Sequence, residues 1–220
     1  MPKQIPLDLE TPDRYGRDRL VVTPPLQAVL DVLLAPQDWL SPSLVLFGPK
    51  GSGKTHLGHI FAAEQNGVFQ SAAEAGPSPA PAIVVDDADQ ASEDTLFHLS
   101  NHVQSSGQKL VLLTQIHPRA WQVRLPDLVS RLNAMRLLTL PEPDADLLAA
   151  ILKKLFAQRA ISPSPDTLAY LANRMERSVA AAQKIVTELE YYANGRAFNR
   201  ALVRDFFEQS ETLFDDRDFE

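Results

Sequence analysis

Residues Gly48-Pro49-Lys50-Gly51-Ser52-Gly53-Lys54-Thr55 have the spacing G-x-x-x-x-G-K-[ST]. Glycines at 48, 51 and 53 let backbone N–H groups turn toward one anion. Lys54 can reach the β- and γ-phosphates of a nucleotide, and Thr55 can offer its hydroxyl to Mg2+. The same residues also read as a plain glycine turn, so the flanks matter. Ser43 to Phe47 is an apolar run of strand length, and His56 to Ala63 has helical spacing, which puts the phosphates on a helix N-terminus. The expected nucleotide contacts are Gly48, Pro49, Gly51, Ser52, Gly53, Lys54, Thr55 and His56.

Asp86 and Asp87 close a second apolar run, Ile83 to Val85. Beside a phosphate loop, Asp86 is expected to join Thr55 in holding Mg2+ through water, and Asp87 to orient an attacking water. Taken alone, two acids after a strand are a solvated turn. Thr114-Gln115 ends the run Lys109 to Leu113, where Thr114 is either a contact to a γ-phosphate or a strand-end cap. Arg131 sits in Leu128-Val129-Ser130-Arg131-Leu132 and is either a surface salt bridge or an arginine finger offered to a neighbouring subunit. Arg177 either reaches back to phosphates or lies exposed. Near the start, Gln4-Ile5-Pro6-Leu7-Asp8-Leu9 combines a glutamine amide with the apolar anchors Ile5, Leu7 and Leu9 on a Pro-stiffened backbone. It reads as a docking peptide, or as an arm folded onto this chain's own core.

These residues need elements to hold them. Apolar positions 26, 29, 30, 33 and 34 predict a helix before the first strand. Glu74 to Pro81, rich in Pro, Ala and Gly, predicts a surface loop, and the whole stretch between the two motifs reads as short and loop-like. Ser92-Glu93-Asp94 predicts a helix start, with Leu96, Phe97, Leu99 and Val103 inward. A short helix over 127–132 and a strand over 136–140 follow. Continuous apolar strands alternating with helices predict an α/β class with a parallel sheet covered on both faces. After Pro143 only helices are predicted, over 144–159, 164–174, 176–194 and 199–209. The expected layout is an N-terminal arm over 1–18, a nucleotide-binding α/β domain over 19–142 and a helical domain over 143–220.

The chain has 220 residues, 45% hydrophobic and 22% charged, which suits a soluble globular protein. It has no cysteine, so disulfides and thiolate metal sites are excluded and a cytoplasmic setting is expected. No apolar run approaches the ~18–20 residues of a membrane span, and Met1-Pro2-Lys3-Gln4 lacks the blocks of a signal peptide. A net charge of −7 argues against a large sequence-independent nucleic-acid surface.

Taken together, the motifs resemble the AAA+ ATPases, and among them the DnaA-related proteins of the Hda type. Gly48–Thr55 is similar to Walker A, Ile83–Asp87 to Walker B, Thr114-Gln115 to sensor 1, Ser130-Arg131 to box VII, Leu140-Pro141-Glu142-Pro143 to the entry of the lid, and Arg174–Leu189 to the sensor 2 helix. The resemblance implies an AAA+ parallel-sheet P-loop core followed by a small all-α lid subdomain, with ADP or ATP and Mg2+ bound. It implies that Gln4, Ile5, Leu7 and Leu9 bind the DNA polymerase sliding clamp (its beta subunit), and that Arg131 completes the active site of ATP-bound DnaA. The implied role is negative regulation of replication initiation. The initiator's helix-turn-helix domain has no counterpart, so direct sequence-specific DNA binding is not expected. The family's sensor 2 arginine is replaced by Ala180, for which Arg177, one turn earlier, is the expected substitute, and intrinsic hydrolysis is expected to be weak. The alternative is an autonomous AAA+ ATPase of the helicase-loader type. A homodimer is left open.

Overall fold

The computed structural model describes residues 15–17 and 20–215, with side chains as far as Gln209. Five strands form one sheet: β1 (Ser43–Phe47), β2 (Val68–Ser71), β3 (Ala82–Asp86), β4 (Lys109–Thr114) and β5 (Arg136–Thr139), in the order β2-β3-β4-β1-β5. β2, β3 and β4 are parallel neighbours, with Val68 opposite Ile83 and Val84 opposite Val111. A parallel connection needs a crossover: α1 (Pro24–Leu33) precedes the sheet, α2 (Lys54–Glu64), α3 (Glu93–Ser106) and α4 (Pro126–Ala134) run between strands, and β2 reaches β3 through residues 72–81 without a helix. β1, β3 and β4 are buried along nearly their whole length because both of their faces are covered.

β2 was not expected from the sequence, which reads as loop there. It has four residues, none fully buried, at the sheet edge, so no apolar run marks it. The remaining elements match the expected pattern to within a few residues.

The chain divides into two compact units that interleave in sequence. Among the described residues, the first comprises 15–17, 20, 30–46 and 55–137. On one face of its sheet, Ile83, Val85, Leu110 and Leu112 pack against Leu96, Leu99 and Val103 of α3 and Leu128 and Leu132 of α4. On the other, α2 comes so close that a Cβ at Gly58 would stand 2.7 Å from Leu113 and 2.9 Å from Phe69. Gly58 costs helix propensity and is kept by this approach. α3 starts on Ser92, whose hydroxyl accepts from the Thr95 N–H, and stops at Gly107 in the left-handed region.

The second unit comprises residues 21–29, 47–54 and 138–220. Its core is a helical bundle of α5 (Ala145–Ala157), α6 (Pro165–Arg174), α7 (Val179–Ala193) and α8 (Arg200–Asp215). Leu148, Leu152, Phe156, Leu171, Val186 and Leu189 form its fully buried centre. Asp144, Ser164 and Ser178 cap α5, α6 and α7 by accepting from the N–H three residues on. Among the described residues no helix is long and apolar enough to cross a membrane.

Candidate functional site

The phosphate loop belongs with the second unit. β1 ends at Phe47, whose carbonyl accepts from the Leu140 N–H at 2.7 Å. A Cβ at Gly48 would stand 2.7 Å from the Leu140 carbonyl oxygen, so the loop leaves the strand through a space only glycine fits. Gly51 and Gly53 have φ of +74° and +102°, conformations that turn successive N–H groups toward a common centre. The Lys54 ammonium is buried and donates to the carbonyls of Gly48 at 2.8 Å and Pro49 at 2.9 Å. The Ser52 N–H donates to Pro49 O, while its hydroxyl oxygen is buried without a hydrogen-bond partner among the described residues. The loop's own carbonyls therefore hold the lysine where a phosphate would draw it out.

Thr55, the next residue, belongs with the first unit. Its hydroxyl donates to Asp86 Oδ2 at 2.9 Å, which brings together the two residues expected at Mg2+. Mg2+ favours this donor set, one hydroxyl and one carboxylate with waters and phosphate oxygens completing an octahedron. It does not call for an all-protein cage, and among the described residues there is no cluster of three or more His, Asp or Glu suited to a metal. Thr55 and Asp86 are the residues that would hold the ion, which would screen phosphate charge.

Asp87 is in the left-handed region at φ 48°. Its N–H donates to Asp86 Oδ1 at 3.0 Å, and its Oδ1 accepts from Gln115 Nε2 at 3.2 Å. Aspartate tolerates this backbone better than most residues, at a cost of roughly 1 kcal/mol. The bend aims the second carboxylate at β4's end.

Thr114 is the expected residue that the structure assigns differently. It is wholly buried, and its hydroxyl lies 2.7 Å from Asp89 Oδ1 and 2.8 Å from the Ile116 carbonyl, while accepting from the Ile116 N–H at 3.0 Å. Of the two readings, contact with phosphate gives way to the strand-end cap, because no capacity or access remains. The exposed polar side chain at this strand end is Gln115. Asp89, which fastens Thr114, was not singled out in the sequence. It lies in the short 3₁₀ turn Ala88–Gln90 after the paired acids, and only the folded chain brings it to β4.

Arg131 lies on α4, half-buried, with its guanidinium carbon 6.0 Å from the centre of the Phe97 ring. It makes no ion pair among the described residues. Of its two readings, the surface salt bridge is absent among them. Stacking on an aromatic leaves the planar fork of donors unspent.

Arg177 is exposed and precedes α7, whose N-cap is Ser178. The expected helix over 176–194 therefore begins later, at Val179, so Arg177 does not share a helical face with Ala180. Two Ser178 bonds explain the late start: its N–H donates to Glu176 O at 2.7 Å and its hydroxyl accepts from the Ala181 N–H at 3.0 Å.

The His56 side chain is engaged away from the loop, with Nε2 3.2 Å from the Gly16 carbonyl and its ring edge-on to Tyr15. What it retains for a phosphate is the N–H of a first helical turn. One turn on, His59 is sandwiched between Tyr15 at 3.9 Å and Phe69 at 3.7 Å, both nearly parallel to it. Burial pushes the His59 imidazole below its usual pKa, the charge of Asp86 pulls the other way, and His56 adds to the lowering. Sequence reasoning missed this stack because its three rings come from separate segments. Gln4, Ile5, Leu7 and Leu9 lie outside the described residues.

No family model matches the chain. It is 26% identical over 205 residues to an uncharacterized protein of Haemophilus influenzae, covering 81% of this chain and 86% of that one. Among solved structures, a DNA replication initiation factor superposes with a TM-score of 0.71 at 18% identity, over 84% of this chain and 66% of its own. The replication initiator DnaA bound to AMPPCP and single-stranded DNA gives 0.73 at 18% identity, over 96% of this chain and 74% of that chain. The Holliday junction branch migration motor RuvB of Thermotoga maritima gives 0.70 at 17%, over 90% and 72%. The parallel sheet, phosphate loop and helical bundle are those of a DnaA-like AAA+ fold.

Proposed function

We propose that the chain is a DnaA-related AAA+ regulator of the Hda type, which binds ADP or ATP with Mg2+ and acts on a partner's nucleotide. It docks on the replicative sliding clamp through Gln4, Ile5, Leu7 and Leu9. It then presents Arg131 to ATP-bound DnaA, stimulating hydrolysis and so restraining replication initiation. Tethering to the clamp concentrates the protein near replicating DNA without DNA contacts of its own.

The observation that carries this reading is Arg131, a guanidinium propped on Phe97 with no carboxylate partner among the described residues. An unpaired, preoriented arginine suits the stabilisation of charge on a transferring phosphoryl group. The nucleotide half of the proposal draws support from the Thr55–Asp86 bond, from the left-handed glycines of the loop, and from AMPPCP in the DnaA of similar fold.

The test has two arms. Arg131→Ala should keep nucleotide and clamp binding and lose stimulation of DnaA's ATPase; full stimulation by the variant would refute the finger. Gln4→Ala with Leu7→Ala should abolish capture on immobilised clamp while leaving nucleotide binding intact, and undiminished capture would refute the docking peptide. The second reading, an autonomous ATPase, draws on the intact Thr55–Asp86 pair. Sustained turnover by the isolated protein would favour it.

A further inference from the structure

The carbonyl oxygens of the phosphate loop are engaged in two different ways. Gly48 O and Pro49 O are held by Lys54, the group that must leave them when it meets a phosphate. The Gly51 carbonyl is held from outside the loop, by the Val179 N–H at 2.9 Å. Val179 is the first residue of α7, and a helix's first N–H has no partner within its own helix. The approach is close: a Cβ at Gly51 would stand 2.3 Å from Ser178 Cβ, whereas one at Gly53 would meet nothing within 4 Å.

A carbonyl oxygen repels phosphate, so a loop that cradles an anion must keep its carbonyls directed elsewhere while its N–H groups face inward. The positive end of α7 attracts the Gly51 oxygen and keeps it engaged. This bond does not depend on Lys54, so it survives when the lysine moves to a ligand.

We infer that the Val179 N–H is a positioning group for the phosphate loop: the entry of α7 holds Gly51 in its phosphate-accepting conformation and thereby sets how long nucleotide is retained. The inference rests on the nucleotide-binding reading and adds to it a determinant contributed by the helical bundle through its backbone.

Val179→Pro isolates the bond. Proline has no N–H, suits the first helical position, and requires an extended residue before it. Ser178, at φ −141° and ψ 149°, already meets that requirement. Val179→Ala keeps the N–H and serves as the control. The probe is N-methylanthraniloyl-ADP with Mg2+, with release followed by stopped-flow fluorescence. Val179→Pro should release it roughly three- to tenfold faster, the worth of one N–H···O bond, and Val179→Ala at the wild-type rate.

Amide exchange of the nucleotide-free protein gives an independent readout. Val179→Pro should speed exchange over 48–54 and leave β3 and the α7 interior unchanged, with the melting temperature lowered by no more than the loss of one hydrogen bond explains. Wild-type exchange in the loop, or a wild-type release rate, overturns the inference. If wild-type protein does not bind the probe, the nucleotide reading fails, and loop exchange alone then decides whether α7 positions the loop.

Discussion

Strands β3 and β4 lie side by side, and each ends in two polar residues: Asp86-Asp87 on one, Thr114-Gln115 on the other. At the end of β3 the first polar residue is half-buried and accepts from the hydroxyl of Thr55. At the end of β4 the first polar residue is sealed in, and its hydroxyl serves Asp89 and the backbone of Ile116. The two ends then meet through Gln115 and Asp87. The difference teaches that a polar side chain at a strand end is claimed first by whichever unpaired backbone group is nearest. It serves a ligand only when its neighbours leave it capacity.

The largest expected effect tests the loop that feeds the first of these ends. Lys54→Ala removes the one ammonium in contact with the loop carbonyls, and nucleotide affinity should fall on the order of 100-fold in a fluorescence titration. A small change would mean that the loop's N–H groups suffice. Next comes the cap. Thr114→Val keeps the shape and deletes the hydroxyl, leaving the Ile116 N–H and Asp89 short of a partner. It should cost about 1–3 kcal/mol in denaturant unfolding and leave nucleotide affinity unaltered. Lost affinity at unchanged stability would restore Thr114 as a phosphate contact and erase the contrast.

A weaker dependence on pH is expected from the stack behind Thr55. The lowered pKa of His59 means that the unfolded chain binds the proton more readily than the folded one. Stability is therefore fully present above the ordinary value of 6.5 and declines as pH falls from there toward the folded value. His59→Phe retains a stacked ring with no proton to gain. The stability difference between variant and wild type, measured by unfolding from pH 7.5 to 5.5, should shift in the variant's favour as pH falls. A constant difference would show that His59 takes no part. Smallest is Gln115→Ala, an exposed side chain with one bond at 3.2 Å, expected to change stability by less than about 0.5 kcal/mol.

The fold was legible wherever periodicity is strong. β1, β3 and β4 announce themselves as unbroken apolar runs, because a strand covered on both faces has no polar side to alternate with. The cap at Ser92 bonds an N–H three residues on, a local event that spacing encodes, whereas the same kind of cap at Ser178 was missed and α7 begins later than expected. β2 was not legible, since an edge strand of four residues, three half-buried and one exposed, owes its existence to a neighbour. Within the candidate site, Gly51, Gly53, Lys54, Thr55 and Asp86 were singled out by spacing, because a phosphate-loop pattern specifies both residue type and order. Asp89, the Tyr15–His59–Phe69 stack and the Val179 bond to Gly51 were not.

The sequence by itself determined the phosphate-loop pattern and the α/β class. Both depend on residues adjacent in the chain, whose distances covalent geometry already sets. Tertiary structure alone decided that Thr114 caps while Gln115 is exposed, that Arg131 lies over a ring with no carboxylate partner among the described residues, and that the first N–H of α7 meets the Gly51 carbonyl. Each of these outcomes turns on which of several competent hydrogen-bond or stacking partners arrives from a distant segment. Burial, which makes an unpaired polar group costly, then selects among them.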